Sequence, residues 1–312
     1  MGRIDDALRR SNVDAARGTG AEAPAPAPSP WQVEEQDTRA AAPGAAGPAG
    51  TAAPAAEGAT RGARREPPKA GRFVVSGGID ARAAERLVAS ADASPLLVEQ
   101  FRTLGATLLR IQGERPLKSL LVTSPSPGDG KSHVATNLAL TLSDSYHRRV
   151  LLIDADLRRP TLHQVFRLAN ASGLCEALRA DTDEKVPTAR VSENLTLLPA
   201  GRPEANPLAG LSSGRMARIV ADAAAAFDWV IVDSPPVVVL ADAHLVSETV
   251  DGAIVVVRAG VTRFPDLAAA VDTLGQDRVL GVVLNALDPA EMRSEGYYSY
   301  YYGRSGRASS RR

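Results

Sequence analysis

The chain of 312 residues contains one cysteine, Cys175, which excludes an internal disulfide and a multi-cysteine metal site. Its four histidines, His133, His147, His163 and His244, have no close metal-ligand spacing and are expected on the surface or at caps. No run of about twenty apolar residues is present, and no N-terminal apolar core for secretion, so a cytoplasmic location is expected. Basic and acidic residues balance to a net charge of zero, which removes the global electrostatic case for a nucleic-acid partner. Aromatic residues are scarce, yet five of the six tyrosines crowd into Gly296–Gly303 as Tyr297, Tyr298, Tyr300, Tyr301 and Tyr302. That run ends in Arg/Ser/Gly-rich sequence and reads as a flexible tail over 291–312. Clustered phenols in a tail fit three roles: phosphate acceptors, a docking segment, or stacking on nucleic acid.

From about Ala21 to Ala70 the chain is dominated by Ala, Pro and Gly, which cannot offset chain entropy by burial and reads as a linker. Residues 1–92 are therefore expected to be largely disordered, with a short amphipathic helix possible at 3–11, where Ile4, Ala7 and Leu8 share a face. Residues 93–290 alternate helix-like and apolar strand-like segments. The pattern places helices near 95–112, 161–167, 173–179, 211–227, 241–248 and 264–275. Strands are expected at 118–123, 149–153, 195–198, 229–233, 252–258 and 279–285. Such alternation implies one doubly wound α/β domain with a mostly parallel sheet.

Within it, Leu120-Leu-Val122 leads through Thr123 into Ser124-Pro-Ser-Pro-Gly128-Asp129-Gly130-Lys131-Ser132 and then a helix from His133. A strand, a glycine turn ending in Gly-Lys-Ser and a helix form the phosphate-binding P-loop, although Pro125 stands where its first glycine usually lies. Backbone amides over Gly128–His133 converge on an anion, Lys131 adds a point charge, and Ser132 offers a hydroxyl to Mg²⁺. Two further apolar runs end in carboxylates, Val150–Ile153 in Asp154-Ala-Asp156 and Trp229–Val232 in Asp233. Parallel sheets bind ligands outside the carboxyl ends of their strands, so three such ends can share one crevice. Asn285, at the end of the last strand, is either a nucleotide-base contact or a turn residue.

Asp154-x-Asp156-x-Arg158 after one strand and Asp233-x-Pro235-Pro236 after another resemble the Walker A′ and Walker B boxes of the bacterial tyrosine kinases. The resemblance runs over about Ser94–Tyr302, and the P-loop is also similar to theirs, with Asp129 where they often carry Glu. It implies ATP and Mg²⁺ as cofactors, with Lys131, Asp154, Asp156 and Asp233 in the catalytic machinery. Ser132, Asp154 and Asp233 would hold the metal, and Asp154 would also accept the tyrosine proton. The five tail tyrosines would be the acceptors. Partners implied are a membrane-spanning polysaccharide co-polymerase whose cytoplasmic tail activates the kinase at the inner face of the plasma membrane, and a phosphotyrosine phosphatase. The process would be exopolysaccharide or capsule synthesis and export. The competing class on this fold is the partitioning and septum-positioning ATPases, whose P-loop carries an extra lysine where this chain has Ser126. The kinases commonly carry Glu-x-x-Arg-x-x-Arg on the preceding helix for ring assembly. Here Glu99 and Arg102 are followed by Gly105, so homo-oligomerisation through this helix lacks its third residue.

Overall fold

Residues 78–180 and 185–287 are described by a computed structural model. The helix expected at 3–11, the linker and all five tail tyrosines lie outside the described residues. Seven strands form one sheet: β1 Ser119–Thr123, β2 Val150–Asp154, β3 Ala189–Arg190, β4 Leu195–Leu198, β5 Trp229–Asp233, β6 Gly252–Arg258 and β7 Val279–Asn285. Their order is β3-β4-β2-β5-β1-β6-β7, with every pairing parallel except β3 on β4.

The helices are α1 Ala81–Ala84, α2 Pro95–Glu114, α3 Lys131–Asp144, α4 Leu162–Val165, α5 Leu174–Arg179, α6 Leu208–Leu211, α7 Gly214–Ala226, α8 Ala241–Ser247 and α9 Phe264–Leu274. Near-continuous Val, Ile and Leu runs make the central strands because both sheet faces are covered. On one face, Leu121, Ile153, Val230 and Val232 pack with residues of α5 to α9. On the other, Leu120, Val122, Leu152, Trp229 and Ile231 pack with α2, α3 and α4. Every residue of α3 from Val134 to Ser143 is buried, so this helix is a core element between sheet and α2.

The domain begins earlier than the boundary at 93. Residues 78–92, expected to belong to the disordered N-terminal region, lie against the core, with Leu87 and Val88 buried beside Leu138 and Phe101. Asn137, buried on α3, fastens the segment: its Oδ1 accepts from the Val88 amide at 2.7 Å and its Nδ2 donates to Arg86 O at 3.1 Å. The amide of Asp80 donates to Val165 O at 2.9 Å, tying the same segment to α4.

Gly105 is explained by its neighbour across α2. A Cβ at this position would meet Tyr146 Cε2 at 2.8 Å, and the Tyr146 hydroxyl donates to Arg102 O at 2.7 Å. The tyrosine ring thus occupies the space that a side chain would need. The exposed Glu99–Arg102 pair beside it, at 3.7 Å, adds little stability. Gly105→Arg is expected to destabilise the domain by about 1 kcal/mol net, overpacking being partly offset by the gain in helix propensity. Thermal unfolding checks this, and in a Tyr146→Ala background Gly105→Ala should instead stabilise. A stabilising Gly105→Arg in the otherwise unchanged protein would contradict this packing.

Candidate active site at the carboxyl end of the sheet

β5 lies between β1 and β2, in register Val122↔Asp233 and Asp154↔Asp233. That order brings the P-loop, which leaves β1, beside both acidic strand ends. The crest is stitched by Ala155 N to Asp233 O at 2.8 Å, and by Thr123 Oγ1 to Pro235 O at 3.0 Å. The three motifs found separately in the chain therefore share one rigid ledge.

The loop enters α3 through Gly130, whose φ of 98° is left-handed. A Cβ there would collide with Asn285 Nδ2 at 2.0 Å. Asn285 instead donates to Asp129 O at 2.9 Å, so the last strand braces the P-loop. The Asp129 side chain is buried within the loop, where Oδ2 accepts from the Ser126 amide at 2.9 Å and Oδ1 from the Thr262 hydroxyl at 2.8 Å. The Asp129 side chain thus shapes the cradle from inside. No side chain caps the start of α3, which leaves an N-terminus of the kind that binds phosphate. The His133 ring stands edge-on to Phe101 and meets Asn137, so its side chain serves the packing behind the loop.

Lys131 Nζ lies 3.1 Å from Asp156 Oδ2 and 3.2 Å from Ser132 Oγ. Burial alone would lower its pKa, but Asp233, Asp156 and Asp154 together raise it, so the ammonium stays charged. The carboxylates differ in their duties. Asp154 Oδ2 accepts the amides of Thr161 and Leu162 at 3.1 and 3.0 Å, and Oδ1 accepts the Asp156 amide at 3.3 Å. It holds the loop after β2. Asp233 is fully buried with both oxygens unpartnered among the described residues. The Ser132 hydroxyl, close enough to favour the charged form of Asp233, does not complete a hydrogen bond to it. Arg158, two residues beyond Asp156, is clamped by buried Asp242 through Nε at 2.7 Å and Nη2 at 3.1 Å. Asp242 and Thr262 were not singled out in the sequence, because nothing near them in the chain marks a partner more than eighty residues away.

An orphaned buried carboxylate beside a P-loop serine is suited to Mg²⁺. Among the described residues no three His, Cys, Asp or Glu side chains converge as a metal cage. Mg²⁺ is commonly held by one or two carboxylates, with phosphate oxygens and water completing its shell, so Asp233 and Ser132 are the donors that suit it. Without a cation the site is costly. Burial, then the charge of Asp233, pushes Asp154 up to about 7, although the Leu162 and Thr161 amides oppose the rise. Burial pushes Asp233 up to about 6 against the pull of Lys131 and Ser132. The folded state therefore binds more protons than the unfolded chain between about pH 4 and 7, and ligand-free stability falls as pH rises through that window. Asp233→Asn removes part of this penalty. It should melt several degrees higher than the wild type at pH 8 without Mg²⁺, on the order of 2 kcal/mol, with the gain shrinking toward pH 5. A pH-independent difference, or a loss of stability at pH 8, would count against the isolated carboxylate.

Residues 120–302 match the family model described as the CobQ/CobB/MinD/ParA nucleotide binding domain. The chain is 34% identical over 220 residues to tyrosine-protein kinase YwqD of Bacillus subtilis, covering 70% of this chain and 92% of that protein. It is 30% identical over 223 residues to tyrosine-protein kinase wzc of Salmonella typhimurium, covering 70% of this chain and 31% of that longer protein. Among solved structures it resembles the kinase domain of Escherichia coli tyrosine kinase ETK. The TM-score is 0.58 at 29% identity, covering 61% of this chain and 76% of that one.

Proposed function

Since the chain belongs to the bacterial tyrosine-protein kinases, built on the CobQ/CobB/MinD/ParA nucleotide-binding domain, we propose that it is an ATP-dependent autokinase acting on Tyr297, Tyr298, Tyr300, Tyr301 and Tyr302. The observation that carries this reading is the buried, unpartnered Asp233 beside Ser132 and Lys131, with the Asp154–Asp156 loop in register next to it.

In the proposed reaction a tail phenol oxygen forms a bond to the γ-phosphorus of ATP while the bond to the bridging oxygen breaks, releasing ADP. The amides over Gly128–Ser132 and the Lys131 ammonium bind and orient the phosphates. Ser132 and Asp233 would hold Mg²⁺, which when bound would offset phosphate charge. Asp154 positions the loop with three amide donors, and its raised pKa narrows the gap to a phenol near 10, so it receives the proton late in transfer. Asp156 holds Lys131 in place before nucleotide arrives. Asn285 supports the cradle from the β7 side and is the residue closest in role to a base contact.

Among the described residues no helix is long and apolar enough to cross a membrane. As the family resemblance implies, the reading includes a membrane-spanning polysaccharide co-polymerase as activator, which holds the kinase at the inner face of the membrane. Exopolysaccharide or capsule export is the process so controlled, with a phosphatase to reset the tail. The test follows from the distinct carboxylates. Asp233→Asn should lose Mg²⁺-dependent transfer of label from ATP to tyrosine even though the ligand-free protein is more stable. Asp154→Asn should lose transfer and also loosen the 154–162 loop, measurable as faster amide exchange at Thr161 and Leu162. Normal transfer by both variants would overturn the assignment.

A further inference from the structure

A cavity of about 420 Å³ opens beside the P-loop helix, roofed by the segment at residues 80–87 that packs on the domain. Its lining includes Ser132 and Thr161, so whatever enters lies next to a residue of the P-loop. Ala83, Leu87 and Val165 give it an apolar wall. Arg82 and Arg86 also line it, both exposed, four residues apart, and neither makes a salt bridge among the described residues. The carboxylate that also lines it, Asp80, is already used as a cap on the Arg82 and Ala83 amides at 3.0 and 3.3 Å. An apolar lining for an aromatic ring, two guanidinium groups without a salt bridge among the described residues, and lining hydroxyls together match an aryl phosphate better than a purely apolar or purely ionic ligand.

We infer that this cavity binds a phosphotyrosyl side chain of the chain's own tail, so that a tyrosine already modified docks there while a neighbour is presented for transfer. The inference rests on the autokinase reading. The tail supplies tyrosines one to five residues apart, and extended chain spans roughly 3.3 Å per residue, so two of them reach adjacent subsites. Each phosphate adds about −1.5 to −2 charges, which the carboxylates at the strand ends would repel and the two arginines attract. The first modification then favours the next, and labelling accelerates after a lag.

Fluorescent peptides of residues 291–303, with and without phosphate on Tyr300, give the test by anisotropy against the full chain. The phosphopeptide is expected to bind at least about tenfold more tightly, and Arg82→Gln/Arg86→Gln to erase that preference. Both side chains are exposed, and melting temperature and fluorescent-ADP binding serve as fold controls. Equal affinity for the two peptides in the wild type overturns the inference without any variant being needed. So does a preference that survives the double substitution, or one abolished equally by inorganic phosphate at the peptide's own concentration. Transfer of label from ATP to the unphosphorylated peptide is scored separately, so loss of the arginine effect and failure of the kinase reading give different results.

Discussion

Lys131→Met lowers autophosphorylation by a factor on the order of a hundred or more, equivalent to about 3 kcal/mol of barrier. Methionine preserves most of the side-chain length, so the change is chiefly one of charge. The ammonium it removes sits 3.1 Å from Asp156 and is raised in pKa by three carboxylates, which shows how much negative potential it offsets before any phosphate arrives. With it gone, the phosphates meet Asp154, Asp156 and Asp233 without a counter-charge from the loop. Initial rates of tyrosine labelling, compared at saturating ATP and Mg²⁺, measure the loss. Near-wild-type labelling by a folded Lys131→Met protein would remove the P-loop from the mechanism.

Changing Tyr297, Tyr298, Tyr300, Tyr301 and Tyr302 together to phenylalanine reduces labelling to almost nothing while ATP binding persists. The substitution keeps the aromatic area and removes every acceptor oxygen, so it separates chemistry from docking. The remaining tyrosine, Tyr146, is committed to packing over Gly105 with its hydroxyl on Arg102 O, and is not expected to substitute as an acceptor. Full labelling of the five-phenylalanine protein would place the acceptor elsewhere and leave the tail as a docking segment. Mass spectrometry of the wild type should correspondingly place phosphate within 297–302.

Much of the framework was legible because apolar runs buried on both faces of a parallel sheet need little context. The runs at Leu120–Val122, Val150–Ile153 and Trp229–Val232 are strands where their composition says they should be. What composition does not carry is strand order. Nothing in the chain states that β5 lies between β1 and β2, and that placement is what joins Asp233 to the P-loop. The two-residue strand Ala189–Arg190 and the short helix Leu208–Leu211 have too few residues to show a period. Residues 78–92 were misplaced for a different reason. They follow a long Ala/Pro/Gly-rich stretch, and their order depends on Asn137, a buried amide on a distant helix whose role no local pattern announces. Likewise, Gly105 reads as a missing arginine in the sequence but is a site of close approach once Tyr146 is seen across it. Asp154 and Asp233 look alike as strand-end carboxylates, and only their hydrogen bonds separate a loop-holder from a free ligand.

Transfer of the γ-phosphoryl group of ATP to tyrosine, and not to water, is what sets this ledge apart from a nucleotide-driven switch in the proposed reading. Incubating the full chain with γ-labelled ATP and Mg²⁺, with and without the cytoplasmic tail of a membrane-spanning co-polymerase, and counting label on tyrosine against label released as phosphate, tests it most directly. Mg²⁺-dependent label on tail tyrosines is expected, increased by the partner tail and absent when Asp233 is asparagine. Phosphate release with no labelled tyrosine under either condition would contradict it and make the chain a nucleotide-driven switch on the same fold.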